Sequence, residues 1–258
     1  MRSIAIYNLK GGVGKTATAV NLAALAAESG GRTLVWDLDP QAAASWYLRA
    51  EPVKGFKAGR LIKGKIPIGQ CIQRTAIAHL DVLPADLTLR NLDIILRREA
   101  ELHPADAGSH AAMVFERWLS ALSETYRLII FDCPASLSDL AATVLQVADL
   151  VVIPVIPTHL SFETYGHVQR LMTAKKLKPK KLVPVLTMVD RRKLLHQTFC
   201  REASERLGRA PIGLIPYASD IEKMGNLRQP LLQFAPRSAA TLAYRMLWKN
   251  LAELLRQQ

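Results

Sequence analysis

Short, wholly apolar segments alternate along this chain with longer segments of helical periodicity. Two of the short segments, Leu128–Phe131 and Val151–Ile153, carry no polar side chain on either face. Strands of this kind are typical of a parallel sheet covered by helices on both sides. The alternation therefore predicts an α/β fold with three layers, α/β/α, around a mostly parallel central sheet whose strands are joined by right-handed crossovers.

The same patterns predict seven strands and seven helices. The strands are Ile4–Asn8, Thr33–Asp37, Leu80–Leu83, Leu128–Asp132, Leu150–Pro154, Leu182–Thr187 and Ile212–Ile215. The helices are Lys15–Ser29, Leu87–Glu101, Ala111–Thr125, Ser138–Val147, Ser161–Ala174, Gln197–Leu207 and Ser238–Leu255. The Gly-containing basic segment Arg49–Lys65 is interpreted as a surface excursion, and His103–Ser109 as a loop. Because no break in composition divides the 258 residues, we expect one domain over residues 1–258.

A glycine-rich segment lies between the first predicted strand and the first predicted helix. Its sequence is Lys10-Gly11-Gly12-Val13-Gly14-Lys15-Thr16. The glycines allow backbone N–H groups to converge on an anion, and the helix N-terminus adds partial positive charge. Lys15 can reach the β- and γ-phosphates of a nucleotide, and Thr16 can ligate Mg²⁺. The loop departs from the usual pattern G-x-x-x-x-G-K-[ST]. Leu9 stands where the pattern has its first glycine, and a second lysine, Lys10, begins the loop.

Carboxylates follow two of the apolar strands. Asp37 and Asp39 stand in the run Asp37-Leu38-Asp39-Pro40-Gln41, and Asp132 ends the strand Leu128–Asp132. Open α/β sheets bind ligands beyond the carboxyl ends of their strands. Asp and Pro are also ordinary choices for a turn before a helix, and the run Asp37–Gln41 taken alone favours such a structural turn. Taken together with the phosphate loop, the run favours a part in a nucleotide site. Asp132 could hold Mg²⁺ directly or through water.

These three segments resemble the deviant Walker A loop, the D-x-D-P-Q motif and the Walker B strand of the ParA/MinD family of ATPases. Weaker likenesses, as at Leu186–Arg192, extend the resemblance over nearly the whole chain. The resemblance implies a P-loop NTPase fold with ATP and Mg²⁺ as cofactors. It also implies a Mg²⁺-dependent ATP hydrolase that is slow until a partner stimulates it.

The resemblance further implies roles for single residues. Lys10 would cross a dimer interface to the phosphates of the partner's nucleotide, as an arginine finger does in other NTPases. Asp39 would orient and activate the attacking water, and Asp37 would support Mg²⁺ and the loop. The implied catalytic residues are Lys10, Lys15 and Asp39, and the implied Mg²⁺ ligands are Thr16 and Asp132. The implied nucleotide-binding residues are Lys10, Gly11, Gly12, Val13, Gly14, Lys15, Thr16, Ala17, Asp37, Met188 and Pro216.

The cysteines bear on the branch of the family. Cys71, Cys133 and Cys200 are far apart and form no C-x-x-C pair, which argues against a disulfide framework and a zinc site. It also argues against the iron–sulfur reductases and cluster carriers of the family, which need paired cysteines at the dimer axis. Cys133 departs from the family's usual D-T-P-P or D-x-P-x. We interpret it as a small buried residue rather than a redox sensor.

The chain is strongly basic, with 34 Lys and Arg against 22 Asp and Glu, a net charge of +12. Such a surplus favours a polyanionic partner, either nucleic acid or an acidic membrane surface, or it reflects an Arg-rich composition. Basic residues gather in three places. They are the run Lys175–Lys181, the run Arg191–Lys193 that follows the strand Leu182–Thr187, and the last predicted helix. The candidate contacts to duplex DNA are Arg191, Arg192, Arg237, Arg245 and Lys249.

The last predicted helix, Ser238–Leu255, is amphipathic, with Leu242, Leu247, Leu251 and Leu254 assigned to one face. It could be a membrane-seeking helix of the MinD kind. We favour a helix that packs on the sheet. The apolar stretch Ala141–Leu160 carries Gln, Asp and Pro, so we expect a buried strand there, no transmembrane helix and a soluble protein.

No segment long enough for a helix-turn-helix domain precedes the first predicted strand, so we expect a ParA-type ATPase without one. Such a protein would form an ATP-dependent sandwich dimer, bind nucleoid DNA without sequence preference and position plasmid, chromosome or protein cargo. A ParB-like protein or a cargo adaptor would activate it, and it would be cytoplasmic and nucleoid-associated. The alternative is a membrane-cycling, MinD-like positioning ATPase, although a membrane partner is the less favoured of the two.

Overall fold

The computed structural model describes residues 1–101, 110–136, 138–174 and 182–257. An eight-stranded sheet lies at its centre, in the order β3-β4-β2-β5-β1-β6-β7-β8. The strands are β1 (Arg2–Ile6), β2 (Thr33–Asp37), β3 (Gln73–Arg74), β4 (Leu80–Leu83), β5 (Leu128–Asp132), β6 (Leu150–Val155), β7 (Leu182–Val189) and β8 (Leu214–Pro216). Neighbouring strands are parallel except at the edge, where β3 runs antiparallel to β4.

Helices cover both faces of the sheet. They are α1 (Lys15–Glu28), α2 (Ala43–Tyr47), α3 (Ala58–Ile62), α4 (Leu92–Glu101), α5 (His110–Ser123), α6 (Asp139–Val147), α7 (His159–Ala174), α8 (Leu194–Arg206), α9 (Ser219–Leu227), α10 (Leu231–Phe234) and α11 (Ala239–Arg256). Helices α1, α2 and α9 to α11 share one apolar core with the sheet, and α3 to α8 share the other. The predicted three-layer α/β/α fold with a mostly parallel sheet is therefore confirmed.

The predicted long elements are present, with ends shifted by a few residues. Four short helices, α2, α3, α9 and α10, were not predicted. Three of them, α2, α3 and α10, have only four or five residues, which complete too few turns for a helical period to show. The surface excursion predicted over Arg49–Lys65 is wrong in its middle, where α3 buries Ala58, Leu61 and Ile62. The two-residue strand β3 was also not predicted. The predicted loop His103–Ser109 and the basic run Lys175–Lys181 lie outside the described residues.

The last helix packs on the sheet, as we favoured, but its buried face differs from the predicted one. Leu247 and Leu251 are fully buried, whereas Leu242 is 56% exposed and Leu254 is half-buried. The buried residues of α11 form one stripe, in which successive members are mostly three or four positions apart and therefore share a helix face. Its members are Ala240, Thr241, Tyr244, Leu247, Leu251 and Leu255.

Within the described ranges, no helix combines the length and the apolar character needed to cross a membrane.

Candidate functional site

Strand register brings the three sequence motifs to one edge of the sheet. Asp132, at the end of β5, is the register partner of Ile6 on β1 and of Asp37 on β2. Backbone bonds continue this pairing past the strand ends, since Leu38 N–H donates to the Asp132 carbonyl at 3.0 Å. The glycine-rich loop after β1 and both buried carboxylates therefore meet at the carboxyl edge, where ligands bind in open α/β sheets.

The glycine-rich loop needs glycine for its backbone conformation. Gly12 and Gly14 have φ of +69° and +85°, in the left-handed region that only glycine adopts without strain. A Cβ atom at either position would meet no heavy atom within 4 Å, so the space above the loop is open. Gly14 immediately precedes α1 and supplies no side-chain cap, which leaves the first N–H groups of the helix facing a potential anion.

Two buried polar residues that were assigned no role from the sequence hold the loop in place. The Asn8 amide nitrogen donates to the Pro154 carbonyl at 2.6 Å, and its oxygen accepts from Lys10 N–H at 3.0 Å. The Thr187 hydroxyl donates to the Val13 carbonyl at 2.9 Å. The loop is thereby fastened to β6 and β7. The polar Asn8 at the end of an apolar predicted strand was the available sequence signal. Thr187 lies in the family-like segment Leu186–Arg192, but that likeness did not indicate a contact with the loop.

The two lysines of the loop differ in their surroundings. Lys15 is buried, and its Nζ donates to the Lys10 carbonyl at 3.2 Å. Burial lowers the pKa of Lys15, while the carboxylates of Asp132 and Asp39 act in the opposite direction. The Lys10 ammonium is half-buried and makes no hydrogen bond or ion pair with another described residue. Lys15 is thus placed inside its own site, and Lys10 is available for a contact elsewhere.

Asp132 is fully buried, and neither of its carboxylate oxygens has a hydrogen-bond partner among the described residues. Burial raises the pKa of Asp132 well above its usual range and the nearby Asp37 carboxylate raises it further, while the neighbouring Thr16 hydroxyl and Lys15 ammonium lower it. An unpaired buried carboxylate is costly unless it binds a cation. The described residues contain no cluster of three or more His, Cys, Asp or Glu side chains that could hold a metal alone. The carboxylate of Asp132 and the hydroxyl of Thr16 fit Mg²⁺, which is usually held by one or two side chains together with phosphates and water.

Asp37 is buried but fully partnered. One of its oxygens accepts from Asp39 N–H at 3.1 Å, and the other accepts from the backbone N–H and hydroxyl of Ser45 at 2.8 and 2.7 Å. Burial raises the pKa of Asp37 to about 6, against the effect of the hydrogen bonds from Ser45. The Ser45 hydroxyl also accepts from Ala85 N–H at 3.0 Å. Asp37 therefore fixes the turn into α2, in keeping with the support of the loop that the resemblance implies. Its implied support of Mg²⁺ stays a prediction.

Asp39 is half-buried in the loop between β2 and α2. One oxygen accepts from Gln41 N–H at 2.9 Å, and the other has no hydrogen-bond partner among the described residues. That oxygen is free to accept a hydrogen bond from water. The arrangement is compatible with the water-positioning role that the resemblance implies, and that role stays a prediction.

The two residues implied in contacts to the nucleotide base lie at the carboxyl ends of neighbouring strands, Met188 next to last on β7 and Pro216 last on β8. Met188 has φ of +53°, an uncommon value for a residue with a side chain, and lies where the β7–β8 register is irregular. Pro216 is the last residue of β8, and the next residue, Tyr217, donates its N–H to the Val189 carbonyl at 3.0 Å. Both residues lie at the carboxyl edge. Their contact with a base stays a prediction.

The five candidate DNA contacts are unequal. Arg192 donates to both oxygens of Asp190, at 2.9 and 3.0 Å, and lowers the pKa of that carboxyl to about 2. Arg245 forms a two-pronged ion pair with Glu28. The remaining three are exposed and make no side-chain hydrogen bond or ion pair with another described residue: Arg191, Arg237 and Lys249. Exposed ion pairs contribute little to stability, so Arg192 and Arg245 could still exchange their carboxylate partners for DNA phosphates. The other three side chains have no such pair to break within the described residues.

Comparison with known proteins yields one family and close matches in fold. Residues 1–187 match the family model described as an AAA domain. The sporulation initiation inhibitor protein Soj of Bacillus subtilis is 32% identical over 257 residues, covering 96% of this chain and 97% of Soj.

Two solved structures share the fold at low identity. A putative plasmid partition protein from Borrelia burgdorferi bound to AMPPNP has a TM-score of 0.80 and 21% identity, covering 98% of this chain and 99% of that one. The septum site-determining protein MinD of Pyrococcus horikoshii, complexed with Mg-ADP, has a TM-score of 0.77 and 20% identity, covering 98% and 97%.

Proposed function

The chain belongs to the ParA/MinD family of P-loop ATPases, and from that membership we propose that it is a ParA-type, Mg²⁺-dependent ATPase that positions plasmid, chromosome or protein cargo. The observation that carries the proposal is the meeting of the open glycine loop with Lys15 and with the buried carboxylate of Asp132, which accepts no hydrogen bond from a described residue. The Borrelia and Pyrococcus neighbours, which were solved with AMPPNP and with Mg-ADP, support ATP and Mg²⁺ as its cofactors.

The nucleotide would be held by this chain's own loop. The backbone N–H groups at the start of α1 and the Lys15 ammonium would bind the phosphates, since the first turn of a helix leaves its N–H groups without intrahelical partners and the space above Gly12 and Gly14 is open. Thr16 and Asp132 would hold Mg²⁺, which offsets the negative charge of the phosphates. The free oxygen of Asp39 orients the attacking water and accepts its proton. We propose that this hydrolysis is slow until a partner protein, either ParB-like or a cargo adaptor, stimulates it.

Lys10 supports the proposal of an ATP-dependent dimer. Its backbone is fixed by Asn8, yet its ammonium has no partner in the described part of the chain. A cation held in this way can complete the phosphate site of a second copy, as an arginine finger does. Because the contact requires the triphosphate in both copies, ATP would close the dimer and hydrolysis would open it.

The dimer would bind duplex DNA without sequence preference, and the protein would be cytoplasmic and nucleoid-associated. The support is the net charge of +12 together with three exposed cations that form no ion pair with a described residue, Arg191, Arg237 and Lys249. The logarithm of DNA affinity falls with log salt by about 0.9 for each phosphate contact. A dimer that doubles the contacts therefore binds at salt concentrations where a monomer does not.

A specific observation favours a second candidate, a membrane-cycling ATPase of the MinD kind. Leu242 and Met246, four residues apart on the outer face of α11, are 56% and 58% exposed, and Lys249 lies on the next turn. Apolar and basic residues together on one helix face suit an acidic membrane surface. Two apolar side chains are a small anchor, so DNA remains our first proposal.

The test is a fluorescence-anisotropy titration of random-sequence duplex DNA with ATP, ADP and no nucleotide, with released phosphate measured in parallel. We expect tight binding with ATP only, and ATP hydrolysis that requires Mg²⁺. Equal affinity in all three states would contradict ATP gating. Absence of binding at low salt would contradict the DNA partner, and co-sedimentation with anionic lipid vesicles would then favour the second candidate.

A further inference from the structure

Tyr7 lies between β1 and the phosphate loop, and its side chain is fully buried. Its backbone N–H donates to the Val152 carbonyl at 3.0 Å, which continues the pairing of β1 with β6. Its ring belongs to the apolar core that the sheet shares with α3 to α8. A hydroxyl buried in such a core is costly unless it makes a hydrogen bond. The mechanism proposed above does not use this residue.

The Tyr7 hydroxyl donates to the backbone carbonyl of Ser136 at 2.9 Å. Burial raises the pKa of Tyr7, with Cys133 acting in the same direction, so the hydroxyl stays protonated and remains a donor. Ser136 lies in the segment between β5 and α6, and that segment begins directly after Asp132, the carboxylate that we assign to Mg²⁺. The bond therefore connects the chain that enters the phosphate loop with the chain that leaves the metal ligand.

The segment 133–136 has few other attachments. Its first residue still follows the pairing of β5 with β1, because Cys133 N–H donates to the Ile6 carbonyl at 3.2 Å. Over the next three residues, 134–136, the bond from Tyr7 is the one hydrogen bond to any other residue that the structure describes. Backbone without a hydrogen-bonded ladder opens more easily than a helix or a strand. The position of the segment 133–136 therefore depends on the Tyr7 hydroxyl.

The residue next to Tyr7 anchors the phosphate loop. Asn8 contacts both the Pro154 carbonyl and the Lys10 N–H, as described above. Tyr7 and Asn8 together join the ends of β1, β5 and β6 at the carboxyl edge of the sheet. The proposed site needs this connection, because the phosphate loop and the chain next to Asp132 must keep a fixed relation to act on one nucleotide.

We propose that Tyr7 is a positioning residue for ATP hydrolysis, whose hydroxyl fixes the segment 133–136 relative to the phosphate loop through the Ser136 carbonyl. The inference rests on the ATPase function proposed above. Phenylalanine has nearly the same volume, so packing of the core does not require the hydroxyl. A displacement of about 1 Å in an active site can lower a rate by about 10²-fold, whereas one neutral hydrogen bond adds little to stability. Removal of the hydroxyl should therefore slow hydrolysis in a protein that still folds and binds nucleotide.

The test is the variant Tyr7→Phe, which removes a single oxygen atom. The matched control is Tyr126→Phe, because the Tyr126 hydroxyl is also buried and donates to Asp81 Oδ2 at 2.8 Å. Tyr126 precedes β5 and so lies at the amino edge of the sheet, opposite the phosphate loop.

Three measurements are made on each variant. Single-turnover phosphate release over a range of ATP concentrations gives the maximal rate and the half-saturating concentration separately. Thermal unfolding with and without ADP reports on the fold and on binding to the phosphate loop. Hydrogen exchange without nucleotide, followed by mass spectrometry, reports on the opening of the segment 133–136.

We expect Tyr7→Phe to release phosphate at least tenfold more slowly than the wild type, with half-saturation by ATP and stabilisation by ADP unchanged. Exchange in the segment 133–136 should be faster in Tyr7→Phe. The control Tyr126→Phe should keep both the wild-type rate of phosphate release and the wild-type exchange in this segment.

A wild-type rate in Tyr7→Phe, an equal loss of rate in both variants, or unchanged exchange in the segment 133–136 would overturn the proposal. Loss of stabilisation by ADP in Tyr7→Phe would also overturn it, since that result would show a general effect on the site. If the wild type itself released no phosphate, the proposed ATPase function would fail. The exchange measurement would then still decide whether Tyr7 holds the segment, so the two failures are distinguishable.

Discussion

Asp37 and Asp132 are register partners on β2 and β5, and of the two only Asp37 accepts hydrogen bonds from residues that the structure describes. Ser45 and the backbone of Asp39 satisfy the first carboxylate, which therefore serves to shape the loop. The second is buried with neither oxygen partnered by a described residue. Two neighbouring acids are thus divided into a structural carboxylate and one that is left for a cation.

Asp132→Asn should abolish the effect of Mg²⁺ on nucleotide binding, because the variant removes the charge that pairs with the ion. In the wild type, ligand at 100 times its Kd should stabilise the fold by about 2.7 kcal/mol. Thermal unfolding with ATP, alone and with Mg²⁺, measures the difference. The exposed Glu205→Gln is the control and should behave as wild type. A full Mg²⁺-dependent rise in Tm for Asp132→Asn would contradict the assignment.

Asp39→Ala should retain ATP binding and lose hydrolysis, because the phosphate loop stays intact while the water loses the group that orients it. We expect a decrease in rate on the order of 10²-fold or more. Phosphate release under single-turnover conditions, together with ATP affinity, separates the two effects. The exposed Glu51→Ala provides the control. Wild-type hydrolysis in Asp39→Ala would show that another group positions the water.

Lys10→Ala and Lys15→Ala should fail at different steps. Lys15 is buried beside the carboxylates of its own site, so its loss should abolish nucleotide binding. The ammonium of Lys10 has no partner within the described residues, so its loss should leave ATP binding but prevent dimerisation. Light scattering with ATP measures the dimer, with the exposed Lys57→Ala as control. An ATP-dependent dimer of Lys10→Ala would rule out a role across the interface.

The double variant Arg237→Glu, Lys249→Glu should weaken DNA binding and leave ATP-driven dimerisation intact. The salt slope should fall by about 0.9 for each phosphate contact removed. Arg245 is the poorer choice, since Arg245→Glu would place a second carboxylate beside Glu28 and disturb the α1–α11 contact. The control is Arg74→Glu, Arg117→Glu, which changes the net charge equally at the far end of the sheet. An equal loss of affinity in both double variants would point to net charge rather than to a local contact.

Much of the site was predictable from local sequence. The glycine loop between a strand and a helix, the strand that ends at Asp132, and the covered parallel sheet depend on periodicity, glycine and short-range spacing. Each of these acts within a few residues, and a single sequence displays them directly. The order of the strands was not predictable, because β5 lies between β1 and β2 only through contacts between residues far apart in the chain.

The roles of individual polar groups were decided by the tertiary structure. Hydrogen bonds of Asn8 and Thr187 connect the phosphate loop to β6 and β7. An ion pair between Glu28 and Arg245 joins α1 and α11. Local backbone preference and the burial of apolar faces dictate the fold class, the phosphate loop and the two acidic strand ends, so sequence patterns were sufficient to predict these features. Which carboxylate is partnered, which arginine is free and which face of α11 is buried depend on donors and surfaces that only the folded chain brings together.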